Sequence, residues 1–363
     1  MRWPVKKLGE VLSFEYGSGL PEKNRISGNI PVFGSNGKIG VHNKKLVEGP
    51  GIIIGRKGSI GEIIWSDRDF WPIDTTYFAK LNNNENLKFI YYLLSTLNLK
   101  RLNKASGVPG LNRNDVYSLS VSLPAISYQK KIVERLDAIR KAQEFCDQQI
   151  HKTGELFESI LEIEITANNI SMQTLSFFTD RITYGFTSPM PTSIEGPYMI
   201  TAKDIMEGEI NYKSCRKTTI NAFNKLITDK CRPDLEDILL TKDGALGRIA
   251  LVTKVPLCIN QSVALIKPDK AKIVPQFLKF LLESSKYQRI MLAGAGGTTI
   301  KHIYITIIDK MKVAVPNLKE QRKIVKKLEA VQDYKKLLQK QKILLKELFD
   351  SVLDKSMKGE IDN

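Results

Sequence analysis

The sequence predicts an α+β chain: two α/β domains separated by two long antiparallel coiled-coil helices, with a pseudo-two-fold internal repeat. Three observations predict it. The order of motifs in residues 51–163 recurs at roughly 237–355, short glycine-bounded strand patterns alternate with helical ones, and each copy closes on a heptad-patterned helix. Gly58 and Gly61 match Gly244 and Gly247 at an offset of 186 residues (244 less 58), and Thr75 and Thr76 fall on Gln261 and Ser262 at the same offset. Pro124 and Gln129 match Pro316 and Gln321 at an offset of 192 (316 less 124). Upstream, Tyr16-Gly17 resembles Tyr184-Gly185. The period is far longer than a solenoid repeat, so each copy carries its own core.

The elements follow in order. Gly51-Ile52-Ile53-Ile54-Gly55, Gly61-Glu62-Ile63-Ile64-Trp65 and Asp237-Ile238-Leu239-Leu240-Thr241 are short, β-branched and bounded by turn residues, as strands are. Apolar spacing predicts a helix over 87–99 and its counterpart over 275–284, with Phe89 matching Phe277. After Pro124, a seam runs through Ile132, Leu136, Ile139, Cys146, Ile150, Phe157 and Ile160; after Pro316, through Ile324, Leu328, Val331, Leu338, Leu345, Phe349 and Val352. Both keep one heptad register, which predicts pairing, and polar seam positions such as Gln143 and Lys335 fix the alignment. About 30 residues per helix span roughly 45 Å, a little over one turn of B-DNA, so the pair suits a ruler between two domains. The alternative is that each helix packs only on its own domain. The expected boundaries are 1–123 for the first domain, 124–168 for its helix, 169–315 for the second domain and 316–363 for its helix.

Composition narrows the partner. The net charge of +16 and pI near 9.5 favour a polyanion, with nucleic acid first, because Lys and Arg that neutralise phosphates release counterions. No apolar run approaches the roughly 20 residues of a membrane span and the N-terminus lacks a signal-peptide pattern, so a folded cytoplasmic protein is expected. The four cysteines and three histidines are scattered, which argues against a metal site or a disulfide framework and for buried thiols. No adenine-methylase motif, phosphate-binding Gly-x-x-x-x-Gly-Lys loop or metal cluster is present, so no catalytic residue is assigned. Loops such as Gly34-Ser35-Asn36-Gly37-Lys38 and Arg56-Lys57-Gly58-Ser59 combine glycine with cations, which lets backbone amides approach an anion.

Ile30-Pro31-Val32-Phe33-Gly34-Ser35-Asn36-Gly37, Gly49-Pro50-Gly51 through Lys57-Gly58-Ser59-Ile60-Gly61, and Phe70-Trp71-Pro72-Ile73-Asp74-Thr75-Thr76-Tyr77 form one set of motifs. Thr201-Ala202-Lys203-Asp204-Ile205, Asp237-Ile238-Leu239-Leu240-Thr241-Lys242-Asp243-Gly244 and Cys258-Ile259-Asn260-Gln261-Ser262-Val263-Ala264 form a second. Each is followed by a proline and then a glutamine at the head of the long helix. Over nearly the whole chain this pattern resembles the specificity subunits of type I restriction-modification systems, although Tyr128 stands where that family usually has Glu.

The resemblance implies a non-catalytic subunit with two target recognition domains, each reading one half of a split site in double-stranded DNA. It implies that the helices set the spacer and dock two modification subunits, adenine methyltransferases that use S-adenosylmethionine. Restriction subunits, ATP-driven with Mg, join that core; no cofactor is expected in this chain and no membrane partner. Lys38, Arg56, Lys57, Lys242 and Arg248 are expected to position phosphates, and Ser35, Asn36, Thr75, Tyr77, Lys203, Asp243, Gln261 and Ser262 to lie near DNA. The structural reading of Asp74-Thr75-Thr76 and Asn260-Gln261-Ser262 is that they are buried polar residues shaping the loops. Because 18–50 and 186–236 differ in sequence and length, the two half-sites should differ. A stand-alone two-domain DNA-binding protein and a coiled-coil adaptor are the rival readings: the first should bind DNA tightly without partners, the second with little salt dependence.

Overall fold

A computed structural model of the chain describes residues 3–103, 110–166, 170–296 and 301–360. The chain's first two residues, and positions 167–168 and 361–363 at the ends of the expected helical segments, lie outside the described residues. Two compact units emerge: Met1–Asp147 with Lys340–Asn363, and Gln148–Gln339.

Unit 1 runs β1 (Val5–Lys7), α1 (Leu8–Val11), β2 (Leu12–Tyr16), β3 (Ile30–Gly34), β4 (Gly37–His42), β5 (Gly51–Gly55), β6 (Ile63–Ser66), β7 (Trp71–Pro72), β8 (Thr76–Leu81), α2 (Leu87–Thr96), α3 (Arg113–Tyr117), β9 (Ser120–Ser122) and the start of α4 (Ile126–Thr166). A four-stranded antiparallel sheet has the order β2-β8-β5-β6 and a three-stranded sheet the order β4-β3-β7, in which β3 and β7 are parallel. The ribbon β1-β9 closes the domain. The core holds Leu12, Ile52 and Ile54 from the sheet and Phe89, Ile90 and Leu94 from α2, all at most 1 % exposed. Burial of such side chains, at roughly 1.5–3 kcal/mol each, is what fixes this unit.

Unit 2 repeats the plan. After the end of α4 come β10 (Met172–Thr174), β11 (Thr179–Tyr184), β12 (Ser193–Ile200), β13 (Ile205–Met206), β14 (Glu209–Ile210), β15 (Arg216–Lys217), α5 (Ile220–Leu226), β16 (Ile238–Thr241), β17 (Ile249–Leu251), β18 (Leu257–Ile259), β19 (Val263–Pro268), α6 (Pro275–Glu283), α7 (Ser285–Ala293), α8 (Ile305–Lys310), β20 (Lys312–Ala314) and α9 (Leu318–Lys358). The sheets are β11-β19-β16-β17 and β15-β12-β18, again with one parallel pair, β12 with β18, and again with a closing ribbon, β10-β20. The hairpin β13-β14 and helix α5 fall in the stretch whose sequence differs most from the first copy.

Both long helices are 41 residues, longer than the expected thirty or so. Their heads are pinned by the repeated glutamine, which is buried in both copies. The Asn86 amide at the start of α2 donates to Gln129 Oε1 at 2.8 Å, and Gln129 Nε2 donates to the Pro124 carbonyl at 3.0 Å. The Val274 amide at the start of α6 donates to Gln321 Oε1 at 2.6 Å, and Gln321 Nε2 donates to the Pro316 carbonyl at 2.7 Å. A buried amide side chain that satisfies both a free helix N-terminus and a carbonyl explains why proline and glutamine keep their spacing.

The seam residues divide by position. In unit 1, Ile132 and Leu136 of α4 are in the core, with Phe349 and Val352 of α9 packed against it; Phe349 meets Tyr92 at 6.0 Å between ring centroids. Gln143 Nε2 donates to the Leu345 carbonyl at 3.1 Å, and Lys342 pairs with Asp147 at 2.6 Å. Because 143 meets 345 while 147 meets 342, the two helices run antiparallel there. In unit 2, Ile324 and Leu328 are core residues and Phe157 and Ile160 pack against them, with Phe157 edge-on to Phe280 at 5.6 Å. Leu338 is buried, and Ile139, Ile150, Val331 and Leu345 are half-buried.

Candidate nucleic-acid interface

The repeated glycine loop has one backbone in both units. Gly58 and Gly61 have φ of 74° and 68°, and Gly244 and Gly247 have 77° and 79°. In unit 1 the Gly55 amide donates to the Glu62 carbonyl and the Gly61 amide to the Gly55 carbonyl; in unit 2 Thr241 with Arg248 and Gly247 with Thr241 do the same. One equivalence from the sequence is corrected. The ladders pair Gly55 with Thr76 and Thr241 with Val263, so Thr76 corresponds to Val263 and Thr75 to Ser262, one residue beyond the constant offset. The second copy carries one extra residue between the loop and its last strand.

Three loops meet at this point in unit 1. The Ser35 hydroxyl shares its one proton between the Lys57 carbonyl at 2.6 Å and the Thr75 carbonyl at 2.9 Å, and the Arg56 and Lys57 amides both donate to the Thr75 carbonyl. Ser35 is thus a buried tie, while Asn36, Lys38 and Lys57 point into solvent and Thr75 is half-buried. Arg56 donates twice to the Asp74 carbonyl, at 2.7 and 3.2 Å, and its guanidinium lies 5.1 Å from the centre of the Tyr16 ring. Tyr77 is a core residue, 3 % exposed, whose hydroxyl donates to the Leu111 carbonyl at 3.2 Å. Burial, and then the neighbouring Tyr16 hydroxyl, raise it above the ordinary phenol value. It supports Tyr16 from beneath and does not face solvent.

Unit 2 builds the same junction from other side chains. The Lys242 and Asp243 amides both donate to the Ser262 carbonyl, and the Ser262 hydroxyl accepts from the Ala202 amide and donates to Asn260 Oδ1 at 2.6 Å. Lys242 Nζ lies 2.9 Å from Asp243 Oδ2 and 5.6 Å from the Tyr184 ring centre. Asp243 Oδ1 lies 2.6 Å from His302 Nδ1. Lys203, Gln261 and Arg248 are exposed, and Arg248 donates to the Ile205 carbonyl at 3.1 Å.

Four residues here were missed as site residues in the sequence. Tyr16 and Tyr184, 52 % and 45 % exposed, each stand under the first cation of the loop. Arg113 faces Tyr16 from a second side at 5.4 Å, and His302 completes the unit 2 cluster. The signal was present in Tyr16-Gly17 and Tyr184-Gly185. A Cβ on Gly17 would stand 2.2 Å from the Ile73 carbonyl oxygen, and one on Gly185 1.9 Å from that of Ile259, so only glycine allows the turn that presents the tyrosine. A planar cation over an exposed aromatic ring can bind a phosphate while the ring covers a sugar or base.

Among the described residues no group of three or more His, Cys, Asp or Glu could hold a metal ion, and no helix is long and apolar enough to cross a membrane. The free thiols Cys215 and Cys258 are pushed up to about 12, chiefly by burial.

The EcoBI type I restriction enzyme specificity subunit of Escherichia coli is 22 % identical over 85 % of this chain and 73 % of its own length. The type I restriction enzyme specificity subunit S.HindORF215P of Haemophilus influenzae is 23 % identical over 88 % of this chain and 85 % of its own. The type I restriction-modification S subunit of M. genitalium superposes with a TM-score of 0.64 at 15 % identity, over 98 % of this chain and 96 % of that one. A sequence model of the type I restriction modification DNA specificity domain matches twice, at residues 2–152 and 192–347. The duplicated fold and the two domain matches agree, and the chain belongs to the type I restriction modification DNA specificity family.

Proposed function

We propose that this chain recognises double-stranded DNA as the specificity subunit of a type I restriction-modification complex, one unit per half of an asymmetric bipartite site. The observation that carries the reading is the repeated junction itself: one backbone, presented twice, with Arg56, Lys57 and Arg113 at one and Lys242, Asp243 and His302 at the other. A shared frame with different polar groups suits two readers of different base sequences. In each unit the exposed cations hold phosphates, and side chains of the variable stretches, residues 18–50 and 186–236, meet base edges. Each 41-residue helix is roughly 60 Å long, well beyond a B-DNA turn of about 34–36 Å, which suits a spacer between half-sites and leaves exposed surface for two modification subunits.

Chemistry lies with the partners in this reading: methyl transfer to adenine from S-adenosylmethionine in the modification subunits, and ATP-dependent work with Mg in the restriction subunits. This chain supplies recognition, in the cytoplasm where the DNA is. The test is to co-express it with the modification subunit of a type I system, an adenine methyltransferase, and to map methylated adenines by single-molecule sequencing. A split, asymmetric motif with a fixed unspecified spacer is expected; a complex that forms yet methylates a continuous or symmetric motif overturns the two-reader reading.

A further inference from the structure

A cleft of about 500 Å³ opens in unit 2 between β12, β15 and the turn before β18. Its lining includes Lys213, Arg216, Lys217 and Lys254 and no carboxylate. None of the four cations has an acidic partner among the described residues; Lys217 is half-buried and Lys213, Arg216 and Lys254 are exposed. The floor is Tyr198 packed edge-on against Tyr212 at 5.1 Å. Lys217 Nζ lies 5.3 Å from the Tyr198 ring centre and Lys254 Nζ 5.2 Å from that of Tyr212. The Tyr212 hydroxyl accepts from the Thr253 and Lys254 amides, both at 3.1 Å, which locks the ring and the turn that carries Lys254.

The rungs that carry the cleft's cations differ between the two copies. Tyr198 pairs with Lys217 where the equivalent rungs of unit 1 pair Pro31 with Val41, and Met199 pairs with Arg216 where Val32 pairs with Gly40. The cleft is also separate from the repeated junction. The parallel β12–β18 pair starts at Tyr198 with Leu257, beside the cleft, and ends at Ile200 with Ile259, beside the loops that carry Lys203 and Gln261. Two rises of strand, about 7 Å, separate the two places, which corresponds to about two steps of a DNA strand at 3.4 Å each.

We infer that this cleft grips the sugar–phosphate backbone of duplex DNA flanking the second half-site, with Lys217 and Lys254 on adjacent phosphates. Four unpaired cations without an acid select a polyanion, because each neutralised phosphate releases condensed counterions. An open groove with a rigid aromatic floor takes a continuous strand, whose deoxyribose faces rest on apolar surface. Ile194 supplies such surface at the rim: β12 bulges between Ser193 and Tyr198, and the bulge leaves Ile194 93 % exposed beside the lysines. The corresponding rungs of unit 1, Pro31 with Val41 and Val32 with Gly40, carry no cation, so the contact footprint extends further on the side of the second half-site. The inference rests on the reading of this chain as a DNA-binding subunit.

The test uses the full chain, a 40-base-pair duplex of mixed sequence, and the salt dependence of binding by fluorescence anisotropy. Lys217→Ala with Lys254→Ala should flatten the slope of log K against log salt by about 1.8, from two contacts at about 0.9 each, and Lys217→Arg with Lys254→Arg should restore it. Arg56→Ala, in unit 1, is the reference and should flatten the slope by about 0.9 on its own. An unchanged slope in the lysine pair with a flattened slope in Arg56→Ala overturns the grip and leaves the proposed function standing. If neither changes the slope, both fail. Stoichiometric binding of deoxyadenosine monophosphate that the lysine pair abolishes, with the duplex slope unchanged, also overturns the inference, since the cleft then holds a small nucleotide. All substituted lysines protrude into the cleft, so thermal unfolding should match the unaltered chain.

Discussion

The loop at 55–62 in unit 1 and the loop at 241–248 in unit 2 have the same backbone hydrogen bonds and the same two left-handed glycines, and each carries two cations and one acid. The difference lies in where the acid stands. In unit 1 it is Glu62, at the back of the loop and paired with Lys100, so Arg56 and Lys57 face outward with Arg113 beside them. In unit 2 it is Asp243, at the tip, held between Lys242 and His302. Moving one carboxylate within a fixed frame turns a cationic tip into a hydrogen-bonding network. The first suits a phosphate or the acceptor edge of guanine; the second can also accept from an exocyclic amine.

The comparison breaks most severely at the shared frame. Gly17→Ala and Gly185→Ala each force a Cβ onto a backbone carbonyl, at 2.2 and 1.9 Å, and each should cost its own unit about 2–4 kcal/mol. Hydrogen exchange of the core strands reads the units separately; a loss under about 1 kcal/mol in either would show that the two turns are not equivalent. Next come the helix-head glutamines. Gln129→Ala and Gln321→Ala each strand a buried amide and a buried carbonyl, so each should cost about 1–3 kcal/mol, with local opening at the start of α2 or α6. A smaller effect separates the tips. Asp243→Asn removes the acid that neutralises Lys242, so non-specific DNA binding should tighten and its salt slope steepen by up to about 0.9, opposite in sign to Arg56→Ala. Slopes that move in the same direction would refute the contrast between the tips.

Much of this was readable in sequence, for physical reasons that differ by element. The strands at 51–55 and 238–241 are buried on both faces, so their apolar runs are uninterrupted and their glycine borders are sharp. The helix-head Pro and Gln were legible because in both copies the Gln side chain donates to the carbonyl of the Pro five residues before it, which holds their spacing. Offsets were less reliable near Thr75, where a single inserted residue moved the register by one and only the strand ladder shows it. The site was harder still. Tyr77 has the side chain of a contact residue and the burial of a core residue, because β8 is an inner strand between β2 and β5 and its first two residues, Thr76 and Tyr77, are both buried. Tyr16, Arg113 and His302 lie far apart in the chain and meet their partners only through the fold. The heptads were legible, but their sharing between two cores was not, since a heptad specifies a seam and not what covers it.

The finest test of the comparison is Glu62→Gln. The Glu62–Lys100 pair is well exposed, at 39 % and 59 % of the side chains, so breaking it should change stability by no more than about 0.5 kcal/mol. Its effect belongs to recognition instead. With Glu62 neutral, Lys100 is released beside a loop that already presents Arg56 and Lys57, and non-specific affinity should rise slightly while the thermal transition stays in place. The same change in sign as Asp243→Asn, at smaller amplitude, is expected because Glu62 stands behind the tip and not within it. Equal amplitudes for the two substitutions would mean that total loop charge governs binding and that the position of the carboxylate does not, which would remove the physical basis for two different readers on one frame.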